Sequence, residues 1–279
     1  MTETDHNSVA RLLRNGLAVV GFAALEDFIK TRTSEALGEI GKTGVPFQSL
    51  PERIQHAVTF EAVAAFSYQL SLRPKAERVT YAQEHALRVA STASTAYELT
   101  PHAFCWDQAN LQDDAIKDVL KSFWVAEPWA EMTRIGSRLG LVALPLSETY
   151  KGAALRRHRA AHVAHADTPQ TDLAQYVREA LAIAIGFDVL LSKAVERIRA
   201  HDKKYLIGQS KVDASAVRVR QVRFVGGLWK ELLEGRKAAV KTENDVSVLS
   251  PAARARAVMA KDLFVQFGPA DEIILWECN

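Results

Sequence analysis

Cysteine is nearly absent from this 279-residue chain, which contains only Cys105 and Cys278. Two cysteines support neither a disulfide framework nor a cysteine-based zinc site, and so low a number is typical of a protein from a reducing compartment. The chain also lacks a large excess of either charge, because its formal net charge is +2. A nearly neutral chain has no global field that attracts nucleic acid or membranes, so any such surface must be local.

Signals for export or membrane insertion are also missing from the sequence. Residues 1–7 are polar and acidic, without the basic and then apolar order of a signal peptide. The apolar stretch Ala180–Leu191 is far shorter than a bilayer span and contains Asp188. These features predict a cytoplasmic protein that does not insert into a membrane.

Helical periodicity, in contrast, extends over most of the chain. Apolar residues recur at three- and four-residue steps, which predicts a series of helices. Glycine and proline concentrate in Gly38–Pro51, which is predicted to be a loop. The predicted helices are Val9–Ser34, Glu52–Leu70, Tyr81–Tyr97, Asn110–Phe123, Pro128–Leu139, Ser147–Ala164 and Pro169–His201, of which the last is the longest.

The pattern changes near residue 205. Val217–Val225 alternates in part between apolar and polar residues, which predicts a strand, and Gly226-Gly227 predicts a turn after it. A short helix from Ser250-Pro251 and strands at Leu263–Phe267 and Glu272–Trp276 are predicted beyond that turn. We therefore expect a mainly α protein, with a helical domain over residues 1–204 and a small α+β module over residues 205–279.

A cluster of histidines and arginines is the strongest chemical signal in the chain. Its histidines are spaced i, i+4 and i+7, so on a helix they share one face. Its arginines are interleaved with them within a single short segment. The members of this Arg/His cluster are Arg156, Arg157, His158, Arg159, His162 and His165.

Two chemistries are compatible with such a cluster. Neutral imidazoles one turn apart can chelate zinc, but the adjacent arginines repel a cation and the H-E-x-x-H pattern is absent. Cleavage of a phosphodiester without metal needs a group that moves a proton and a fixed cation beside the phosphate. Histidine suits the first task and arginine the second. We therefore expect no metal and no cofactor.

Spacing alone does not decide between function and accident. Arg157 and His162 are spaced R-x-x-x-x-H, but in a chain of this composition Arg-to-His gaps of this size arise by chance roughly once or twice. A solvated basic helix face explains the same pattern equally well.

The context of the motif adds a resemblance. Arg156, Arg157, His158 and His162 read R-R-H-x-x-x-H, and Leu17–Ile29 contains the order Ala-Ala-Leu-Glu-x-Phe. In these features the chain resembles the HEPN superfamily of small helical nucleases, in its RiboL-PSP-HEPN or MAE-like branch. The similarity covers about residues 9–200, and only the R-x-x-x-x-H element is specific.

The resemblance implies a fold, an activity and partners. The fold is a HEPN-like helical bundle that forms a homodimer, with a composite active site where the Arg-His motifs of two protomers face each other. The activity is that of a metal-independent endoribonuclease, which uses the RNA 2′-hydroxyl as nucleophile and leaves a 2′,3′-cyclic phosphate. Family members often act as toxins or in antiviral defence, so an antitoxin or another regulatory partner is expected.

The resemblance also implies roles for individual residues. Arg157 is expected to hold the scissile phosphate, and His162 to act as general base or acid. His158 is expected to orient the pair or the phosphate. Glu26 is the ionisable residue of the first helix that could reach the site, although a solvated helix carboxylate is an equally good interpretation. The residues expected to bind RNA are Arg156, Arg159 and His165.

Two alternatives stay open at this point. Arg159 and His165 also fit the permitted spacing and end closer to Asp167, although Arg157 and His162 match the branch better. The chain could also be a non-catalytic helical module that binds RNA or a partner protein through the same basic surface.

Overall fold

The structure, a computed structural model, describes residues 3–104, 110–142, 144–163 and 165–278. Helices occupy the first two thirds of the chain, and a mixed sheet follows. The helices are α1 (Glu3–Ile40), α2 (Glu52–Val58), α3 (Phe60–Leu72), α4 (Arg78–Ser91), α5 (Asp113–Ser122), α6 (Pro128–Arg138), α7 (Leu146–His162), α8 (Gln170–Arg199), α9 (Lys203–Leu206) and α10 (Val246–Ala260). The strands are β1 (Val219–Val225), β2 (Leu228–Leu233), β3 (Lys241–Glu243), β4 (Leu263–Phe267) and β5 (Ile273–Glu277).

The centre of the bundle is the contact of α1 with α7 and α8. Phe22 and Leu25 of α1 are buried at helical spacing and face the bundle, as do Phe187 and Leu190 of α8. Tyr150 of α7 joins them, with its ring centroid 5.2 Å from that of Phe22. Burial of one apolar face on each helix is the main stabilising contribution to such a bundle.

A glycine allows α6 to approach α8. A Cβ atom built on Gly186 would lie 2.9 Å from the Cβ of Met132, closer than two such carbons pack. Only glycine therefore permits this crossing without a shift of one helix.

Several helix boundaries differ from the predictions. Helix α1, with 38 residues, is longer than α8, with 30, so the prediction that the helix from Pro169 is the longest was wrong. The predicted helix Glu52–Leu70 is interrupted at Thr59, whose backbone lies at φ −112° and ψ −100°, outside the helical region. The apolar spacing continues through Thr59, and a single polar residue within it did not indicate that the helix breaks there.

The C-terminal module is a five-stranded sheet with the order β3-β2-β1-β4-β5. Neighbouring strands are antiparallel except β1 and β4, which are parallel, and the chain passes from one to the other through β2, β3 and α10. Helix α10 begins at Val246, where the carboxylate of Asp245 accepts a hydrogen bond from the Ser247 amide, so it starts earlier than the predicted Ser250-Pro251. The expectation of a mainly α fold with a small C-terminal α+β module is confirmed.

Buried charges pack between the sheet and α10. The carboxylates of Glu231 and Asp262 are fully buried, and the guanidinium of Arg220 lies between them and bonds to both. Arg256 bonds to Glu231 as well. Burial acts to raise the pKa of Glu231, but the hydrogen bonds from Arg256 and Arg220 outweigh it and hold that pKa below its ordinary value. Each carboxylate is therefore paired, as buried charges must be.

The sheet and the bundle share one core. Val219 of β1 and both Leu263 and Phe267 of β4 belong to the same buried cluster as the helices, whereas a smaller cluster fills the space under α10. The change from helices to strands near residue 205 is thus a change of structure type within a continuous core.

Asp188 of α8 is the main polar connection across that junction. Its carboxylate accepts hydrogen bonds from Arg32 Nε at 2.6 Å, Trp276 Nε1 at 3.0 Å and Cys278 Sγ at 3.3 Å. Burial, and after it the nearby Asp188 charge, raises the pKa of the Cys278 thiol well above its ordinary value, so the thiol stays protonated and can donate. One carboxylate thus joins α1, α8 and the residues at and just after the end of β5.

Among the described residues, α1 is the one helix long and apolar enough to cross a membrane by length and composition. Core helices of soluble proteins pass the same test, although only 22% of the apolar window in α1 is buried. The same helix carries Glu26 and Arg32 into the bundle. The sequence prediction considered only Ala180–Leu191 and did not consider this longer segment.

Removal of the Asp188 carboxylate tests whether the sheet and the bundle form one cooperative unit. We expect Asp188→Ala to lower the free energy of unfolding by about 2–4 kcal/mol, because Arg32, Trp276 and Cys278 lose their shared acceptor and Arg32 keeps only the more exposed Glu39, 3.2 Å away, as a close ion-pair partner. Urea unfolding is followed by circular dichroism, which reports the helices, and by tryptophan fluorescence, to which Trp276 of the sheet contributes. Both signals should show one shared, lowered midpoint. The control is Glu61→Ala, which removes an exposed ion pair with Arg53 and is expected to cost about 0–1 kcal/mol. Two separate transitions in the wild type would contradict a single unit.

Candidate functional site

Helix α7 carries most of the Arg/His cluster on its outer side. Its first half is anchored by buried side chains, among them Leu146, Tyr150 and Ala153. Because a helix repeats every 3.6 residues, fixing this inner face directs the polar residues of its second half outward. The helix ends at His162, where Val163 turns to an extended backbone and its amide bonds to the carbonyl oxygen of Arg159.

Arg157 and His158 line one cavity. It has a volume of about 360 Å³ and lies between α7, the start of α5 and Phe22 of α1. Arg157 is half-buried, and its Nε is fully buried without a hydrogen-bond partner among the described residues. A buried donor without a partner in the protein is uncommon, and water, an ion or a ligand can satisfy it. Trp124 Nε1, away from this cavity, is another such donor among the described residues. His158 is exposed at the same cavity.

His162 lines a second cavity, nearer the C-terminal end of the same helix. This groove has a volume of about 540 Å³ and is walled by α1 residues that include Leu12 and Val20. The His162 ring is exposed, and its centroid lies 4.8 Å from that of His158. Arg157 and His162 of one protomer therefore lie on different cavities, with His158 beside Arg157 and one ring contact away from His162.

The segment after α7 is held by the N-terminal half of α1. Arg14 forms an ion pair with Asp167, with Nη2 2.6 Å from Oδ1. The amide of Asn15 donates to the carbonyl oxygen of Ala166 at 2.8 Å, and its oxygen accepts from the Thr168 backbone and hydroxyl. Asp167 is thus bound to α1, and among the described residues no hydrogen bond from a histidine of the cluster to its carboxylate is found.

The residues expected to bind RNA differ in their burial and surroundings. Arg156 is half-buried and lines a narrow crevice beside Tyr176 of α8, whereas Arg159 is exposed on α7. His165 is exposed in the turn that follows α7. Arg159 and His165 line neither of the two cavities, so the geometry favours Arg157, His158 and His162 as the centre of the site.

Glu26 supports the wall of the cavity that Arg157 lines. It is buried, and its carboxylate accepts a hydrogen bond from the backbone amide of Leu111. Tyr150 holds the same residue from the other side, because its hydroxyl donates to the carbonyl oxygen of Leu111 at 2.7 Å. Leu111 belongs to the wall of the cavity that holds Arg157. The structure therefore gives Glu26 a role in shaping that wall, and its carboxylate does not line the cavity.

Sequence reasoning missed the supporting residues. Asn15 carried a usable signal, because it lies at helical spacing with the buried Ala18 and Phe22, and a polar side chain at a core position requires hydrogen-bond partners. Tyr150 and Leu111 carried none, since their contact joins segments that are distant in the chain.

A second histidine cluster lies far along the chain from the first. His85 of α4 and His102 are buried, and their Nε2 atoms are 3.3 Å apart. The hydroxyl of Tyr81 lies 2.6 Å from the Nε2 of His102. Burial lowers the pKa of both histidines, to about 4 for His102, so both rings are neutral at pH 7. Their position between α4 and the following loop indicates a structural role.

Comparisons with known proteins add no family. No family model, no curated protein and no solved structure matches the chain. Within the part of the chain that the structure describes, no group of three or more histidine, cysteine, aspartate or glutamate side chains is arranged to hold a metal ion. The functional interpretation therefore depends on the geometry of the Arg/His cluster.

The buried histidines generate a dependence of stability on pH. The pKa of His102 is about 4 in the folded chain and 6.5 in the unfolded chain, so as the pH falls the unfolded chain takes up the proton first. We expect this contribution to be intact above pH 6.5 and to be lost progressively down to pH 4, by about 1.4 kcal/mol per pH unit.

Urea unfolding of the wild type and of His102→Gln at pH 7 and pH 4.5 measures this effect. Glutamine keeps a hydrogen-bonding side chain but does not titrate, so its loss of stability between the two pH values should be smaller by about 2–3 kcal/mol. Equal losses in the two proteins would show that His102 is not held neutral by the fold.

Proposed function

We propose that this protein is a metal-independent endoribonuclease. The observation that carries the proposal is the arrangement at α7. Arg157, whose buried Nε has no hydrogen-bond partner among the described residues, lines a cavity together with the exposed His158, and the ring of the exposed His162 lies 4.8 Å from that of His158. A permanent cation with a free donor and adjacent imidazoles open to solvent are the groups that phosphodiester cleavage requires.

In this mechanism Arg157 binds the scissile phosphate and stabilises the charge that grows on its oxygens in the transition state. His162 acts as general base or acid, and His158 lies beside the phosphate in the same cavity as Arg157. Arg156, Arg159 and His165 are proposed to contact neighbouring phosphates, which adds affinity without sequence preference.

RNA is the substrate that fits this chemistry. Its 2′-hydroxyl is an internal nucleophile, so cleavage needs only proton transfer and charge stabilisation and yields a 2′,3′-cyclic phosphate and a 5′-hydroxyl. DNA lacks that hydroxyl and needs an external nucleophile, which metal-bound water usually supplies. The cytoplasmic location expected from the sequence is also part of the proposal.

A homodimer is part of the same proposal. The N-terminal half of α1 exposes a row of large apolar side chains, and the groove beneath it reaches His162. Apolar patches of this kind mark protein interfaces. A second copy seated there would bring the two α7 motifs to one shared cleft. The exposed members of the row are Val9, Leu12, Leu13, Leu17 and Val20.

A toxin or defence role is proposed from the resemblance alone. An antitoxin or regulatory partner that covered the apolar row or the Arg157 cavity would hold such an enzyme inactive. No contact in the described chain identifies that partner.

The direct test is RNA cleavage in EDTA. We expect the wild type to cut single-stranded RNA to 2′,3′-cyclic phosphate ends, and Arg157→Ala and His162→Ala each to lose about 10²–10⁴-fold in rate, because each removes a group needed in the transition state. The products and rates are measured by gel electrophoresis and end-group analysis.

Matched controls separate this result from other outcomes. His6→Ala and Arg236→Ala remove an exposed histidine and an exposed arginine outside the cluster and should leave the rate unchanged. A folded wild type that binds RNA or protein without cutting RNA would favour a non-catalytic binding module, and activity that EDTA abolishes would favour a metal enzyme.

The dimer has its own test. Leu17→Lys combined with Val20→Lys places two charges in the apolar row, whose members at these positions are 62% and 66% exposed. We expect the double variant to elute as a monomer in light-scattering chromatography and to lose RNA cleavage, with its helix content unchanged. Val79→Lys, at a site equally exposed on α4, is the control. A wild type that is monomeric at all concentrations would overturn the dimer.

A further inference from the structure

The cavity that Arg157 lines has a second wall, which the proposed mechanism does not use. Arg157 and His158 of α7 belong to one wall, and residues 110–113, at the start of α5, belong to the other. The buried rings of Phe22 and Tyr150 line it as well and make its deeper part apolar. A cavity of about 360 Å³ with an apolar interior and a few polar groups has the size and lining of a small-molecule site.

The wall before α5 is fixed by its middle residue. Leu111 is buried, its amide donates to the carboxylate of Glu26, and its carbonyl oxygen accepts from the hydroxyl of Tyr150. Its neighbours Asn110 and Gln112 are both exposed and line the cavity. Gln112 has an extended backbone, at φ −88° and ψ 156°, and side chains of an extended chain alternate in direction. With Leu111 directed into the core, the two amide side chains are therefore presented on its outer side.

These two amides are free to bind a ligand. Among the described residues, no hydrogen bond engages the side chain of Asn110 or Gln112, and Gln112 does not cap α5 although it directly precedes that helix. The charges beside them are already paired, because the ammonium of Lys151 lies 3.5 Å from carboxylate oxygens of both Asp113 and Glu148. This wall thus offers hydrogen-bond donors and acceptors rather than an unpaired charge.

A nucleotide has chemical groups that match both walls. A phosphate suits the guanidinium of Arg157, whose Nε has no partner among the described residues. The edge of a base suits the amides of Asn110 and Gln112, since an amide pairs with a donor that lies beside an acceptor. A ligand that spans the cavity would place its phosphate at α7 and its base at the wall before α5.

Adenine is the base that two amides match best. Its N6 amino group has one hydrogen directed toward the N7 side and one toward the N1 side, and N7 and N1 are both acceptors. Two amides can therefore each form two hydrogen bonds with one adenine. Guanine presents two acceptors, O6 and N7, on the corresponding edge, which suits a cation. Pyrimidines lack the N7 edge.

We propose that Asn110 and Gln112 recognise an adenine next to the scissile phosphate and so determine where the RNA is cut. This inference rests on the proposed ribonuclease function, because the phosphate at Arg157 is taken to be the scissile one. It adds a substrate class that the Arg/His cluster leaves open, since contacts to phosphate carry no sequence information.

The first experiment maps the cleavage sites in a single-stranded RNA that contains every dinucleotide step. We expect the wild type to cut about tenfold faster where adenine occupies one fixed position beside the cut. Asn110→Ala and Gln112→Ala should reduce that preference to about twofold, by slowing cleavage at adenine and not at the other bases. Gln112→Glu, which has nearly the same shape but offers only acceptors, should lose the preference as well.

Matched variants control for the loss of an exposed amide. Asn244→Ala and Gln209→Ala remove exposed amide side chains outside the cavity and should keep the adenine preference. Because Asn110 and Gln112 are exposed, their variants should retain the melting temperature of the wild type.

The second experiment measures binding without cleavage. Isothermal titration calorimetry compares adenosine, guanosine, cytidine and uridine monophosphates, each with the phosphate at the 3′- or the 5′-position. We expect the adenine nucleotide to bind about tenfold more tightly than the others. Asn110→Ala and Gln112→Ala should remove that difference, whereas Arg157→Ala should weaken all four alike. The 3′-phosphate should be preferred if adenine precedes the cut in the RNA, and the 5′-phosphate if it follows.

The outcomes separate the inference from the function on which it rests. RNA cleavage without a preference for adenine, or with a preference that Asn110→Ala and Gln112→Ala leave intact, overturns the adenine subsite and not the ribonuclease. A well-folded wild type that cuts no RNA overturns the proposed function. Tighter binding of adenosine monophosphate through Asn110 and Gln112 would then still support the subsite, and equal binding of the four nucleotides would overturn it.

Discussion

The arrangement of the candidate site depends on the buried contact of α1 with α7 and α8. Phe22 of α1 packs on Tyr150 of α7, and this contact fixes which side of α7 faces the core. The buried residues of a helix set its rotation about its own axis. They therefore also set the direction of the α7 side chains one to three turns after Tyr150. The outward position of His158 and His162 is a consequence of where Tyr150 is buried.

The same contact accounts for the second set of restraints near the site. Helix α1 continues past the core and holds the segment after α7 through Arg14 and Asn15. Glu26, one turn after Phe22, holds the backbone of Leu111, which walls the cavity of Arg157. A single long helix therefore positions the motif helix, its end and the opposite wall of the cavity.

The buried charges of the sheet are paired, whereas the half-buried Arg157 of α7 has a donor without a partner in the described chain. In the sheet, the buried Glu231 and Asp262 are each satisfied by arginine, as burial in a low dielectric demands. At α7, Arg157 is half-buried with a donor that has no hydrogen-bond partner in the described chain. An arrangement that costs stability without a ligand is expected where a ligand binds.

Local pattern was sufficient for the long helices, because apolar periodicity over many residues reflects a single buried face. It failed where a short element is decided by its neighbours. Strand β3 has three residues and strand β2 alternates poorly, so the sequence predicted neither strand. The pairing of β2 with β1 and of β3 with β2 was evident only in the structure. The break at Thr59 had no signal in the sequence either, since the helical spacing runs through it.

The sequence by itself determined that the cluster from Arg156 to His162 lies on a helix with His158 and His162 on one face, because that follows from spacing along the chain. His165, which the same spacing predicted on that face, lies in the turn after the helix. Only the tertiary structure decided that Arg157 shares a cavity with His158 and that His162 faces the groove under α1. It also decided that Glu26 bonds to a backbone amide. These are contacts between segments far apart in the chain, and no local pattern encodes which of them meet.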